Sequence, residues 1–138
     1  MTRPPVETHQ GDQLAGRSFG PITQTDIIRF AGAGGDFNPL HHDETYARRA
    51  GLPGVISIGQ MQAGLLAGWV SDLFHVEHLL YYSVRFSSPL FVGDVLLVDG
   101  EVTELIDGDV AELTLRGTCA DRTVITGRAR VRVATASS

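Results

Sequence analysis

Three consecutive segments in the second half of the chain, 95–106, 110–120 and 124–134, are rich in strand-forming residues, and the last two alternate apolar and polar residues with period two. Alternation that long reads as strands with one buried and one wet face. Ala111, Leu113, Leu115, Gly117 and Cys119 share one parity, as do Ile125, Gly127, Ala129, Val131 and Val133. Glu112, Thr114, Arg116, Arg128, Arg130 and Arg132 fall on the opposite one. Asp107-Gly108 suits a type I′ hairpin turn, and Asp121-Arg122 marks the next reversal, so the three strands form an antiparallel meander. Its apolar face needs a cover. The segment before it supplies one: Ile58, Met61, Leu65, Leu66, Trp69, Val70 and Leu73 recur at the spacing of one helix face. Gly59, Ala63, Gly64, Ala67 and Gly68 are interspersed, and each helical glycine costs about 1 kcal/mol relative to alanine. That cost predicts a close neighbour for the helix. Tyr82, Val84 and Phe86 read as one more strand. Helical pieces first and strands later predict an α+β fold, a curved antiparallel sheet with one long helix packed on it.

With 138 residues, 43% of them hydrophobic, the chain has material for one domain. Residues 1–10, with two prolines and few apolar positions, read as a flexible arm, 11–133 as the domain and 134–138 as a short tail. No apolar run approaches the roughly 20 residues of a membrane span, and no secretory-type segment follows Met1, so a cytoplasmic protein is expected. The single cysteine, Cys119, has no internal disulfide partner and lies on the apolar parity as a small core residue. The cations number 11, all arginine, against 16 acids, for a net charge of −5. That balance weighs against a nucleic-acid partner, and the lack of lysine excludes lysine Schiff-base chemistry. Any grip on phosphate falls to arginines such as Arg116, Arg128 and Arg130; a solvated sheet face explains them equally well.

Thr23 and Asp26 form a capping-box pattern ahead of Ile27, Ile28 and Phe30, which predicts a helix beginning near Gln24 that stops at the glycines Gly32, Gly34 and Gly35. Asp43 caps a second short helix, ended by Gly51 and Pro53. Between them, Gly35-Asp36-Phe37-Asn38-Pro39-Leu40-His41-His42 gathers an acid, an amide and two imidazoles in a loop that glycine and proline keep out of regular structure. On a straight helix Asp36 and His41 would diverge by about 140°. The bend at Asn38-Pro39 lets them converge on one water as a general acid and base. Residue types alone leave open the alternative of a capped loop with solvated histidines. His41, His42, Asp43 and Glu44, with His75 and His78 elsewhere, lack zinc spacing, and no metal is expected.

The stretch from Phe30 to His41, followed by Ala50-Gly51-Leu52-Pro53-Gly54-Val55-Ile56, resembles the hydratase-2 signature of MaoC-like (R)-specific enoyl-thioester hydratases and dehydratases. Val84-Arg85-Phe86 and Pro89-Leu90-Phe91-Val92-Gly93-Asp94 fit the same order, so the likeness covers roughly 11–133. It implies a single hot-dog fold with a helical overhang before the central helix. The family's catalytic aspartate falls on Asp36, its histidine on His41, its supporting asparagine on Asn38, and the carbonyl-polarising amide on Gly59. Glycine at a helix start agrees with that last role, since first-turn amides are unpaired and the dipole favours a developing oxyanion.

The implied reaction is reversible hydration of trans-2-enoyl thioesters, or dehydration of (3R)-3-hydroxyacyl thioesters, carried by coenzyme A or an acyl carrier protein, without a cofactor. The implied assembly is a homodimer, or a heterodimer with a paralogous hot-dog subunit, or a higher oligomer. Many relatives have His-Gly-Met where this chain has Ile58-Gly59-Gln60, which puts Ile58 and Gln60 beside the substrate. Ala67 stands where some relatives carry an active-site serine. These departures open a second reading, a non-catalytic thioester-binding or scaffolding subunit.

Overall fold

A computed structural model describes residues 2–134. A short strand β1 (Arg17–Phe19) leads into helix α1 (Gln24–Gly34), a 3-10 turn (Pro39–His41), helix α2 (Glu44–Arg49) and the long helix α3 (Gly59–Phe74). After a second 3-10 turn (Val76–His78) come strands β2 (Leu79–Phe86), β3 (Leu96–Ile106), β4 (Val110–Cys119) and β5 (Arg122–Arg132). The pairings between these strands are antiparallel, in the order β1-β3-β4-β5-β2. The meander is thus the middle of the sheet, with β2 along one side and the three-residue β1 on the other. Register shifts at Leu79/Tyr81, Val102/Glu104 and Gly117/Thr118 mark bulges, which bend a sheet locally.

Helix α3 covers the apolar face. Leu66, Trp69 and Val70 are fully buried in one cluster with Val98, Val102, Leu113, Leu115, Ala129 and Val131, and Cys119 packs against that cluster. The Trp69 indole donates to the Ala15 carbonyl at 2.9 Å, which satisfies its one polar atom. The α1 capping box is present, with Thr23 accepting from the Asp26 amide and Asp26 from the Thr23 amide, each at 3.0 Å. Asp107 and Gly108 take φ of 54° and 78°, as a type I′ turn requires.

The close approach expected at the helix glycines occurs at Gly59 and not at the other two. A β-carbon on Gly64 or Gly68 would meet nothing within 4 Å. Close contact is made instead at the helix start, where Gly59 meets Phe86, and from the sheet, where a β-carbon on Gly127 would lie 3.3 Å from Leu66 and 3.1 Å from the Ser83 carbonyl. A bare sheet position lets the branched helix residue in, so the conformational cost of glycine falls partly on β5.

The N-terminal stretch, read from sequence as a flexible arm, is laid along the fold. Arg3 pairs with Glu77 at 2.7 Å, the Arg3 carbonyl lies 2.6 Å from His78 Nε2, and Glu7 bridges to Ala134. Of the expected tail, 135–138 lie outside the described residues. Among the described residues, no helix is long and apolar enough to cross a membrane.

Candidate active site

Helix α1 ends because Gly35 adopts the left-handed conformation (φ 71°) and the Asp36 amide turns back to the Ala31 carbonyl. From there side chains shape the loop. Asp36 Oδ1 accepts from the Asn38 amide at 3.2 Å, and Asn38 Oδ1 from the Leu40 amide at 3.0 Å. Asn38 therefore caps the 3-10 turn that carries His41, with Pro39 starting it.

That turn swings the His41 ring back toward Asp36. His41 Nε2 lies 3.4 Å from Asp36 Oδ2, and the two side chains are 10% and 43% exposed. The other ring nitrogen is engaged: His41 Nδ1 is 2.8 Å from the Ile56 carbonyl oxygen. A carbonyl only accepts, so Nδ1 carries the proton and Nε2 is the nitrogen turned to Asp36. Ile56 fixes the loop twice, since its amide also donates to the Leu40 carbonyl at 3.1 Å. Gln24 on α1 donates to the His41 carbonyl at 2.8 Å.

Past Ile56 the chain enters α3. Its N-cap, Ile58, supplies no side-chain acceptor, so the first-turn amides, that of Gly59 included, have no side-chain cap. Two inward residues of β2 hold this end of the helix. The Tyr82 hydroxyl donates to the Ala63 carbonyl at 2.6 Å, and burial pushes that phenol up to about 12. Phe86 lays its ring over Gly59, where a β-carbon would stand 3.0 Å from the ring. A cavity of about 440 Å³ opens here, with Ser57, Gly59, Gln60, Gln62, Phe86 and Ser88 in its wall. Gln60 is exposed beside it, whereas Ile58 is buried, 4% exposed. His42, next to the motif histidine, belongs with Glu44 to the wall of a different cavity of about 660 Å³.

The arginine stripe lies on the opposite, wet face of the sheet. Arg116 pairs with Asp99 at 3.2 Å, while Arg128 and Arg130 both bind Glu112. Glu112 is buried beneath them: desolvation raises its carboxyl, and hydrogen bonds and charge from the two arginines outweigh that and hold it below its usual range. The structure thus brings Asp36, Asn38 and His41 together and sets Gly59 with Gln60 at the helix start. It gives all three arginines carboxylate partners.

Sequence reasoning missed Ile56, because its contribution is backbone and leaves no mark in residue type. It also missed Ser57 and Gln62, although Gln62 stands four residues after Ile58 and before Leu66 on the apolar face, a legible anomaly.

A family model described as MaoC like domain matches residues 6–121. An (R)-specific enoyl-CoA hydratase of Aeromonas caviae is 32% identical over 137 residues, covering 96% of this chain and 99% of that protein. An (R)-specific enoyl-CoA hydratase of Rhodospirillum rubrum is 32% identical over 116 residues, 81% of this chain and 80% of that protein. Among solved structures, R-hydratase PhaJ1 from Pseudomonas aeruginosa superposes with a TM-score of 0.83 at 26% identity, over 94% of this chain and 84% of that one. The ChsH1-ChsH2 complex from Mycobacterium tuberculosis shares the fold, with a TM-score of 0.82 at 22% identity over 93% and 100%. Signature loop, helix-backed sheet and full-length similarity converge: the chain belongs to the MaoC-like dehydratase domain family, with the hot-dog fold.

Proposed function

We propose that this chain catalyses reversible hydration of trans-2-enoyl thioesters and, in reverse, dehydration of (3R)-3-hydroxyacyl thioesters. The observation that carries the reading is the paired geometry of Asp36 and His41, with Nε2 and Oδ2 3.4 Å apart and Nδ1 committed to Ile56. Two facing acceptors repel unless a proton donor lies between them. A water hydrogen-bonded to both satisfies each and is polarised by each. Its oxygen bonds to C3 of the enoyl group while the π electrons move toward C2 and the thioester oxygen. One water proton passes to the acid–base pair and from there to C2 on the same face, so the elements of water add across the double bond. The Gly59 amide, at the positive end of α3, stabilises the enolate oxygen in between.

Asn38 holds the turn, and Ile58 and Gln60 flank the polarising amide. Arg116, Arg128 and Arg130 remain candidates for the phosphates of coenzyme A or a carrier arm, in competition with Asp99 and Glu112. The working unit is a dimer, of two copies or with a paralogous subunit. Support comes from β2, which ends the sheet and exposes Leu80, Tyr81 and Phe86, and from the two-subunit make-up of the ChsH1-ChsH2 relative.

The test is loss of enoyl-thioester absorbance on adding purified protein, alone or with a co-expressed partner, to crotonyl-CoA or a longer trans-2-enoyl-CoA. Turnover supports the reading. Tight thioester binding without turnover on any substrate replaces it with a binding or scaffolding subunit.

A further inference from the structure

The segment 87–95, between β2 and β3, belongs to no helix or strand element, yet both halves of the site lean on it. Its Leu90 carbonyl accepts from the Ser57 amide at 2.8 Å, and Phe91 forms an isolated antiparallel bridge with Ile56. Ile56 is the residue whose carbonyl holds His41 Nδ1, and Ser57 leads into the start of α3. Backbone bonds secure the two ends of the loop, Ser87 and Ser88 to Val124, and Gly93 and Asp94 to Ile22. The middle, which touches Ile56 and Ser57, is held by the buried Leu90 side chain and by an arginine.

Arg122, the first residue of β5, donates from Nη1 to Ser88 Oγ at 3.1 Å and to the Pro89 carbonyl, and from Nη2 to Asp94 Oδ2 at 2.9 Å. Its guanidinium also lies over the Phe91 ring, 5.6 Å from the centroid. Asp94 Oδ2 accepts in turn from the Phe91 amide at 2.9 Å, so the ends of the loop and its middle meet at one cation. A planar fork with five N–H groups spans acceptors placed this way, and a single ammonium does not. The turn that presents Arg122 keeps Ala120 at φ 53°, a left-handed conformation rare for alanine. Such strain persists only where the surroundings fix it.

Resting on the hydratase reading above, we infer that Arg122 is a positioning residue for His41: its guanidinium fixes Pro89 and Phe91, these fix Ile56, and the Ile56 carbonyl fixes the ring. Among the described residues Arg122 hydrogen-bonds Ser88, Pro89 and Asp94 and neither Asp36 nor His41, so its effect falls on geometry. The loop has room to relax when the clamp goes, because Ser87, Pro89 and Val92 are exposed. A displacement of about 1 Å at a reacting group costs up to about 10²-fold in rate.

The experiment measures kcat and KM for crotonyl-CoA well below Tm, together with the ring-nitrogen NMR signals of His41, assigned by their loss in His41→Gln. The wild type is expected to show one neutral tautomer, protonated at Nδ1. Arg122→Ala is expected to lower kcat roughly tenfold or more with KM within about twofold, and to bring in signal from the other tautomer. Arg122→Lys keeps a charge for Asp94 and loses the fork, so it is expected to recover only part of the loss. It decides the matter where the alanine variant does not fold. Arg17→Ala removes an ion pair with Asp72 near the C-terminus of α3 and is expected to keep the wild-type kcat and His41 signals; the same changes in this control overturn the inference. Unchanged His41 signals in both Arg122 variants overturn it too, as does a raised KM with unchanged kcat, which would make Arg122 a substrate contact. If the wild type turns over no enoyl thioester, the hydratase reading fails and the His41 signals alone decide whether Arg122 places the ring. If it turns over and the Arg122 variants match it in kcat and signals, the reading stands and the inference fails.

Discussion

Phe86 rests its ring on the α-carbon of Gly59, so close that a β-carbon there would meet three ring atoms at 3.0 to 3.3 Å. The edge strand and the first residue of α3 are therefore packed as one unit. Gly59→Ala forces either the ring or the helix start to shift by a few tenths of an ångström. Because Phe86 is half exposed, the ring yields and the fold survives. We expect kcat/KM for crotonyl-CoA to fall at least tenfold with Tm within a few degrees of wild type. Alanine keeps the backbone N–H, so full activity in this variant would show that neither the missing β-carbon nor the seat of Phe86 on the helix start matters for turnover.

Asp36→Asn keeps the shape of the loop and removes the carboxylate facing His41; His41→Gln removes the ring held by Ile56. Each is expected to lower enoyl-thioester hydration by roughly 10²- to 10⁴-fold. Asp36 is partly exposed, so its replacement leaves Tm near wild type. His41 is buried and loses one hydrogen bond, about 1 kcal/mol. Kinetics together with thermal melts check both, and wild-type rates in the two variants would dismantle the acid–base assignment.

Arg128 and Arg130 share Glu112, a carboxylate only 8% exposed. Replacing both with alanine leaves a buried charge unpaired, so Tm is expected to fall by roughly 5 °C. Adding Glu112→Gln should recover most of that loss. The same proteins report on phosphate recognition: a raised KM for CoA esters that survives the triple replacement assigns these arginines to the thioester as well.

Four carboxylates set the acid limit of stability. Arg3 holds Glu77, the His9 amide with Thr8 holds Asp12, Thr23 holds Asp26, and the two arginines hold Glu112, all below the usual carboxylate range. A depressed folded value binds protons less tightly than the unfolded chain does, so this stability is complete above about pH 4.5 and drains away as pH falls toward the folded values. Tm should decline from roughly pH 5 to pH 3, with a shallower slope in Glu77→Gln and Glu112→Gln. Salt should blunt the Glu77 share, because Arg3 is largely exposed. A flat profile over that interval would contradict the pairing.

What the sequence made legible follows from what leaves a periodic or chemical trace. The capping box announced the start of α1, the helical stripe announced α3, and strand parity announced which face of β4 and β5 is buried, because each leaves a fixed spacing in the sequence. The three-residue β1 is too short for any period. The open surroundings of Gly64 and Gly68 were equally illegible, since a glycine's cost says nothing of which partner approaches. Asp36 and His41 stood out as chemistry in a bent loop. Their orientation depends on Ile56 and Gln24, one through its carbonyl and the other through a contact 17 residues away.

The anchoring of His41 also bears on how this site tolerates change. Ile56 takes the ring proton on its carbonyl and ties the loop with its amide, and its bridge to Phe91 is again made by backbone. None of these contacts reads the isoleucine side chain. Drift at position 56 therefore leaves the His41 ring where it is, so long as the newcomer fits and keeps its amide hydrogen. Proline alone among the twenty lacks that hydrogen. The orientation of the imidazole is in this sense inherited from the path of the chain, and selection at position 56 acts on size and on the exclusion of one residue.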